Sequence, residues 1–105
     1  MTVNLAEAFE KEAGEPILFA VVGEHSNDPN KYRCAPAPET RVVRPWAEAR
    51  PLIDYRYDDD FGGEDCHPVT AWSENWVLWV QAYDGSTTVC KLPRNPASHQ
   101  PSFFG

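Results

Sequence analysis

The chain has 105 residues, enough for one folded domain and too few for two. A hydrophobic share of 42% excludes wholesale disorder, and a net charge of −7 sets the chain against bare nucleic acid, whose phosphates repel it. Three widely spaced cysteines (Cys34, Cys66 and Cys90) make no disulfide framework and no C-x-x-C pair for zinc, so reduced thiols in a cytoplasmic protein are expected.

The N-terminal stretch MTVNLAEAFEKEAGE carries acids where a secretory signal needs bases, and it lacks an apolar core. Asn4 is a good N-cap with Glu7 three residues on, and Leu5, Ala8 and Phe9 share one face. Gly14 then stands where a helix ends, so the pattern predicts a short amphipathic helix over 4–13. The apolar, β-branched run that follows predicts a buried strand over 17–22. Residues 24–40 hold three prolines and many turn formers, which predicts a long loop. RVVR at 41–44 suits a short strand. Pro45 suits the first position of a helical turn through WAEAR, and Pro51 should end or kink it. LIDYRYD alternates, with Ile53, Tyr55 and Tyr57 on one side, and so predicts a strand over 52–57.

The strongest pattern lies at 69–92. Asp84-Gly85 between two apolar runs is a hairpin turn whose two central residues need φ > 0, and Glu74-Asn75 is a second two-residue turn. Two tight turns fix a three-stranded meander. Tyr83 should oppose Ser86, Gln81 Thr88, Trp79 both Cys90 and Thr70, and Trp72 Val77. One face then carries Trp72, Val77, Trp79, Tyr83, Cys90 and Leu92. The other carries Val69, Ala71, Leu78, Val80, Ala82 and Val89 and suits a docked helix, while the aromatic face must meet loop 24–40, the tail or a partner. The expected fold is α+β: a small antiparallel sheet centred on 69–92, extended by 17–22 and with 52–57 as a further candidate, one or two short helices packed on one face, and a proline-rich tail at 93–105.

Charge is unevenly spread. Residues 54–65 hold six acids against one base, and the helix adds Glu7, Glu10 and Glu12. The acids concentrate in YDDDFGGEDCH, where Asp58, Asp59 and Asp60 are consecutive and Glu64 and Asp65 follow a glycine pair. Successive strand residues point to opposite faces, so three consecutive aspartates do not converge on one ion, and no EF-hand spacing is present. Cys66 and His67 are adjacent, which separates rather than pairs them, and His25 or His99 would have to reach Cys66 from far along the chain. A buried, unreactive thiol beside a strand-start histidine is the expected arrangement. Of the four tryptophans (Trp46, Trp72, Trp76 and Trp79), core packing is expected for most. Trp76, just after the Glu74-Asn75 turn, is the candidate contact residue.

No phosphate loop, catalytic elbow, zinc-protease helix or dinucleotide fingerprint occurs, and no cofactor is expected. In size and acidity the chain resembles the small inhibitors that phages and mobile elements direct against host defence systems, such as anti-CRISPR proteins. The acidic surfaces point to a non-enzymatic protein that docks on a basic, nucleic-acid-binding surface of a protein partner, as such inhibitors do; the charge argues against direct nucleic-acid binding and the lack of a long apolar run against a membrane span. On the residues alone, the candidate contact patch is Asp58, Asp59, Asp60, Glu64 and Asp65, with Trp76. Two alternatives stand beside it: a small metal- or thiol-dependent enzyme using Asp65, Cys66 and His67, and a small-ligand binder using the aromatic face.

Overall fold

The structure is a computed structural model and describes residues 2–24, 41–60 and 66–103. Nearly all of the predicted loop at 24–40 lies outside the described residues, as do Glu64 and Asp65. The described chain folds as an α+β unit. Its main sheet is antiparallel, with five strands in the order β3-β2-β5-β6-β7. These are β2 (Ile17–Val22), β3 (Arg44–Pro45), β5 (Val69–Ser73), β6 (Trp76–Tyr83) and β7 (Ser86–Pro93). A separate two-stranded ribbon joins β1 (Thr2–Asn4) to β4 (Arg56–Asp58).

Helix α1 (Leu5–Ala13) forms where its caps place it. Asn4 Oδ1 accepts from the Glu7 backbone N–H at 3.0 Å, and Gly14 closes the helix at φ 66° with its N–H donating to the Glu10 carbonyl. Leu5, Ala6, Phe9 and Ala13 are buried; Ala8, expected on the core face, is only half-buried, and Ala6 takes its place. This stripe packs against Ile17, Ala20, Val22, Val69, Ala71 and Leu78 on one face of the sheet, together with Ile53 and Tyr57.

The meander has the predicted register. Tyr83 opposes Ser86, Gln81 Thr88, Trp79 Cys90, Trp72 Val77 and Thr70 Trp79. Asp84 and Gly85 both have positive φ (50° and 86°), which defines the type I′ turn. β2 joins β5 antiparallel, with a bulge at Leu18.

The predicted strand at 52–57 needs correction. Helix α2 (Trp46–Ala49) runs into a 3-10 turn over Arg50–Leu52, and strand structure is confined to Arg56–Asp58. This strand pairs with β1 and not with the main sheet. The reason is a competing use for the backbone. The first N–H groups of α1 have no intrahelical acceptor. Leu5 N donates to the Tyr55 carbonyl at 3.0 Å and Ala6 N to the Ile53 carbonyl at 3.1 Å, so these carbonyls cap a helix instead of joining a ladder. The side-chain alternation nevertheless holds: Ile53 and Tyr57 are buried and Tyr55 half-buried, whereas Asp54 and Arg56 are exposed. The short strand expected at 41–44 is likewise limited to Arg44–Pro45. Arg41 there has φ 72°, which no extended strand accommodates.

Candidate functional site

The two faces of the sheet differ sharply. Trp46, Trp76, Val80 and Val89 pack against the α1-side core. The opposite face, set by the register, carries Phe19, Val21, Thr70, Trp72, Val77, Trp79, Gln81, Tyr83, Cys90 and Leu92. Trp72, Val77 and Trp79 are half-buried there; Phe19 is 43% exposed and Tyr83 67%. Trp72 and Trp79 therefore stand on the aromatic face, where the alternation placed them, and are only half-buried there. The tail over 94–103 does not bury itself on this face, since each of its residues is exposed. Cys90 is the exception on the aromatic face: it is buried beside Trp79, and burial pushes its thiol pKa up.

The acidic segment meets this face at the β6–β7 turn. After β4, Asp59 and Asp60 turn back, and Asp58 Oδ1 accepts from the Asp60 N–H at 3.0 Å. The Asp59 carbonyl accepts from Thr87 N–H at 2.8 Å, and Asp60 Oδ1 accepts from the Ser86 hydroxyl at 3.2 Å. Three consecutive aspartates are thereby fixed beside the turn that holds Asp84, and Ser86 lies directly across from the exposed Tyr83. The result is an acidic hairpin tip continuous with an aromatic sheet face. Asp84 was missing from the sequence-derived patch, because only the tertiary docking of residues 59–60 on Ser86 and Thr87 brings it beside the others.

Other candidates have internal partners. Trp76 is half-buried against the core, and the Lys91 ammonium sits 4.2 Å above its ring. Glu10 receives Trp46 Nε1 at 3.1 Å and two bonds from Arg50 at 3.0 and 3.2 Å. Arg50 also pairs with Asp54. The Arg50 hydrogen bond is the main cause holding the Glu10 carboxyl below the usual range. Glu15 is likewise held low, first by Ser73 and then by Asn75, whose N–H and side-chain amide both donate to it at 2.8 Å. These two glutamates hold the fold together.

Cys66 and His67 are 2% and 1% exposed. The Tyr55 hydroxyl accepts from the His67 backbone N–H at 2.9 Å and shares a second hydrogen bond with His67 Nδ1 at 2.7 Å. This arrangement anchors the entry to β5, and neither side chain opens onto solvent. His99 lies in the exposed tail with its ring beside the Ala97 carbonyl, and His25 lies outside the described residues. Among the described residues no three His, Cys, Asp or Glu side chains converge as metal ligands. No described helix is long and apolar enough to cross a membrane.

A groove of about 490 Å³ lies on the other side of the acidic tip. It is lined by the β1–β4 ribbon (Val3, Arg56, Tyr57), by α1 (Ala8, Lys11) and by the outer edge of β7 (Thr87, Val89). Burial pushes the Tyr57 hydroxyl pKa up to about 12, and a hydrogen-bonding interaction with the Thr87 side chain opposes the shift. Thr87 Oγ1 is itself buried, against the Tyr57 hydroxyl. No protein-family model matches the chain, and no curated protein or solved structure is significantly similar to it.

Proposed function

We propose that this protein is a non-enzymatic interaction module that docks on a basic surface of a partner protein through the acidic tip formed by Asp58, Asp59, Asp60 and Asp84. One observation carries the reading: the hydrogen bonds of residues 59 and 60 to Ser86 and Thr87 gather these aspartates beside Tyr83, at the rim of an aromatic sheet face. Charge at the tip steers a basic partner and sets its orientation, while partly exposed rings supply the apolar contact and a flat surface on which arginine stacks. A partner whose basic surface serves nucleic acid would be occluded by such docking, which is how an inhibitor of the anti-defence kind would act.

The test begins with capture from the native host at low salt, comparing the wild type with an Asp58→Asn/Asp60→Asn/Asp84→Asn variant, and continues by titrating the purified partner. Retention by the wild type, with at least tenfold weaker binding by the variant, is the expected result. Equal affinity of the two forms would remove the acidic tip from the account.

A further inference from the structure

We propose that the outer edge of β7 is a strand-addition site, and that the groove beside it takes one extended peptide segment of the partner. The inference deepens the reading above and rests on it only for the partner's charge. It begins with hydrogen-bond phase. In a hairpin closed by a two-residue type I′ turn, the residues flanking the turn exchange both backbone bonds. Ser86, Thr88, Cys90 and Leu92 therefore bond inward to β6, whereas Thr87, Val89 and Lys91 turn their backbone groups to the open side. The Thr87 N–H confirms the phase, because it already donates to the Asp59 carbonyl at 2.8 Å. That contact is a first rung of strand-like pairing made from within the chain. The rungs beyond it, at Val89 and Lys91, have no backbone partner among the described residues. They continue for about 13 Å from Thr87 at a strand's rise per residue, which suits a segment of about five residues.

The space beside Thr87 and Val89 is shaped for that occupant. The volume of about 490 Å³ falls within the ~300–1,000 Å³ range of ligand sites. Val3, Ala8, Tyr57 and Val89 offer apolar contact to every second side chain of an extended segment. The ribbon residues Val3 and Arg56 line the same groove, so it receives a single strand and not the edge of a second complete sheet. Asp59 lies at the end nearest the acidic tip, and Glu7 and Glu12 on α1 line the groove too, against Lys11 and Arg56. A segment bearing lysine or arginine next to apolar residues fits this lining better than an acidic one.

The probe is an eight-residue peptide of alternating valine and lysine, titrated into the full chain with amide NMR and hydrogen exchange as readouts. The amides of Val89 and Lys91 are expected to shift and to exchange at least tenfold more slowly at saturation. Two N-methylated peptides, one methylated on its valines and one on its lysines, avoid any change to the protein. Strand pairing predicts that one of them binds at least tenfold more weakly while the other keeps its affinity. Unshifted Val89 and Lys91 amides at millimolar peptide, or equal effects of the two methylation patterns, would overturn the proposal. Repeating the titration on the Asp58→Asn/Asp60→Asn/Asp84→Asn variant separates the two readings. Protection of Val89 and Lys91 that is indifferent to the substitutions upholds the strand site and counts against the acidic reading. Peptide binding that the substitutions abolish, with these amides unprotected throughout, upholds the acidic reading and overturns the strand site.

Discussion

Single positions show where local chemistry decides and where it yields. Asn4 caps α1 through its Oδ1, so Asn4→Ala should cost about 1 kcal/mol in urea unfolding. Thr87 is the opposite case. Its hydroxyl is buried against the Tyr57 hydroxyl, and Thr87→Val replaces it with a methyl that gives Tyr57 no polar neighbour there. The substitution should lower stability by about 1 kcal/mol, and an unchanged or raised urea midpoint would mean that the two hydroxyls do not pair in solution. Asn4 could be assigned from sequence because a cap acts within one helical turn. Thr87 could not, because its burial depends on Tyr57 and on the approach of Asp59, both remote in the chain.

The elements divide along the same line. The meander was legible down to its register, since two-residue turns and period-two alternation are local and leave one pairing. Leu78, central in β6 and fully buried on the α1 side, is the anchor of that pairing, and Leu78→Ala should cost about 2–5 kcal/mol. The segment 52–57 was only half legible. Its alternation correctly gave the buried set, but periodicity does not say what the backbone bonds to, and its carbonyls cap α1. The link between α1 and the 46–54 region continues through Glu10 and Arg50. Because the folded-state pKa of Glu10 is depressed, the stability it contributes is present above the unfolded carboxyl value near 4.5 and is lost as pH falls below it. Glu10→Gln should therefore lower stability at neutral pH and flatten the decline below pH ~4.5, measured by urea unfolding at pH 7 and pH 3. Both carboxylate and guanidinium are partly exposed, so solvent screening keeps this contribution small.

At the scale of the molecule, the sheet separates two kinds of surface. One face is filled by α1. The other leaves aromatic rings partly open, beside a cluster of aspartates drawn from two distant stretches of chain. Composition announced the acidity and the aromatic content, and alternation separated the rings onto one face. It could not announce that the acidic turn folds onto the β6–β7 hairpin, because that depends on the Asp59–Thr87 and Asp60–Ser86 contacts. Nor could it show that Glu10 and Trp76 are engaged inside the fold. If the tip carries function through charge, its interaction must be screened by salt, because these carboxylates lie at the surface. Raising ionic strength from ~0.1 M to ~1 M shortens the screening length from about 10 Å to about 3 Å. The decisive measurement is the affinity of the purified partner for the wild-type chain across that range. The account predicts a fall of at least tenfold, with little further fall for the Asp58→Asn/Asp60→Asn/Asp84→Asn variant. An affinity that stays flat for both would contradict it.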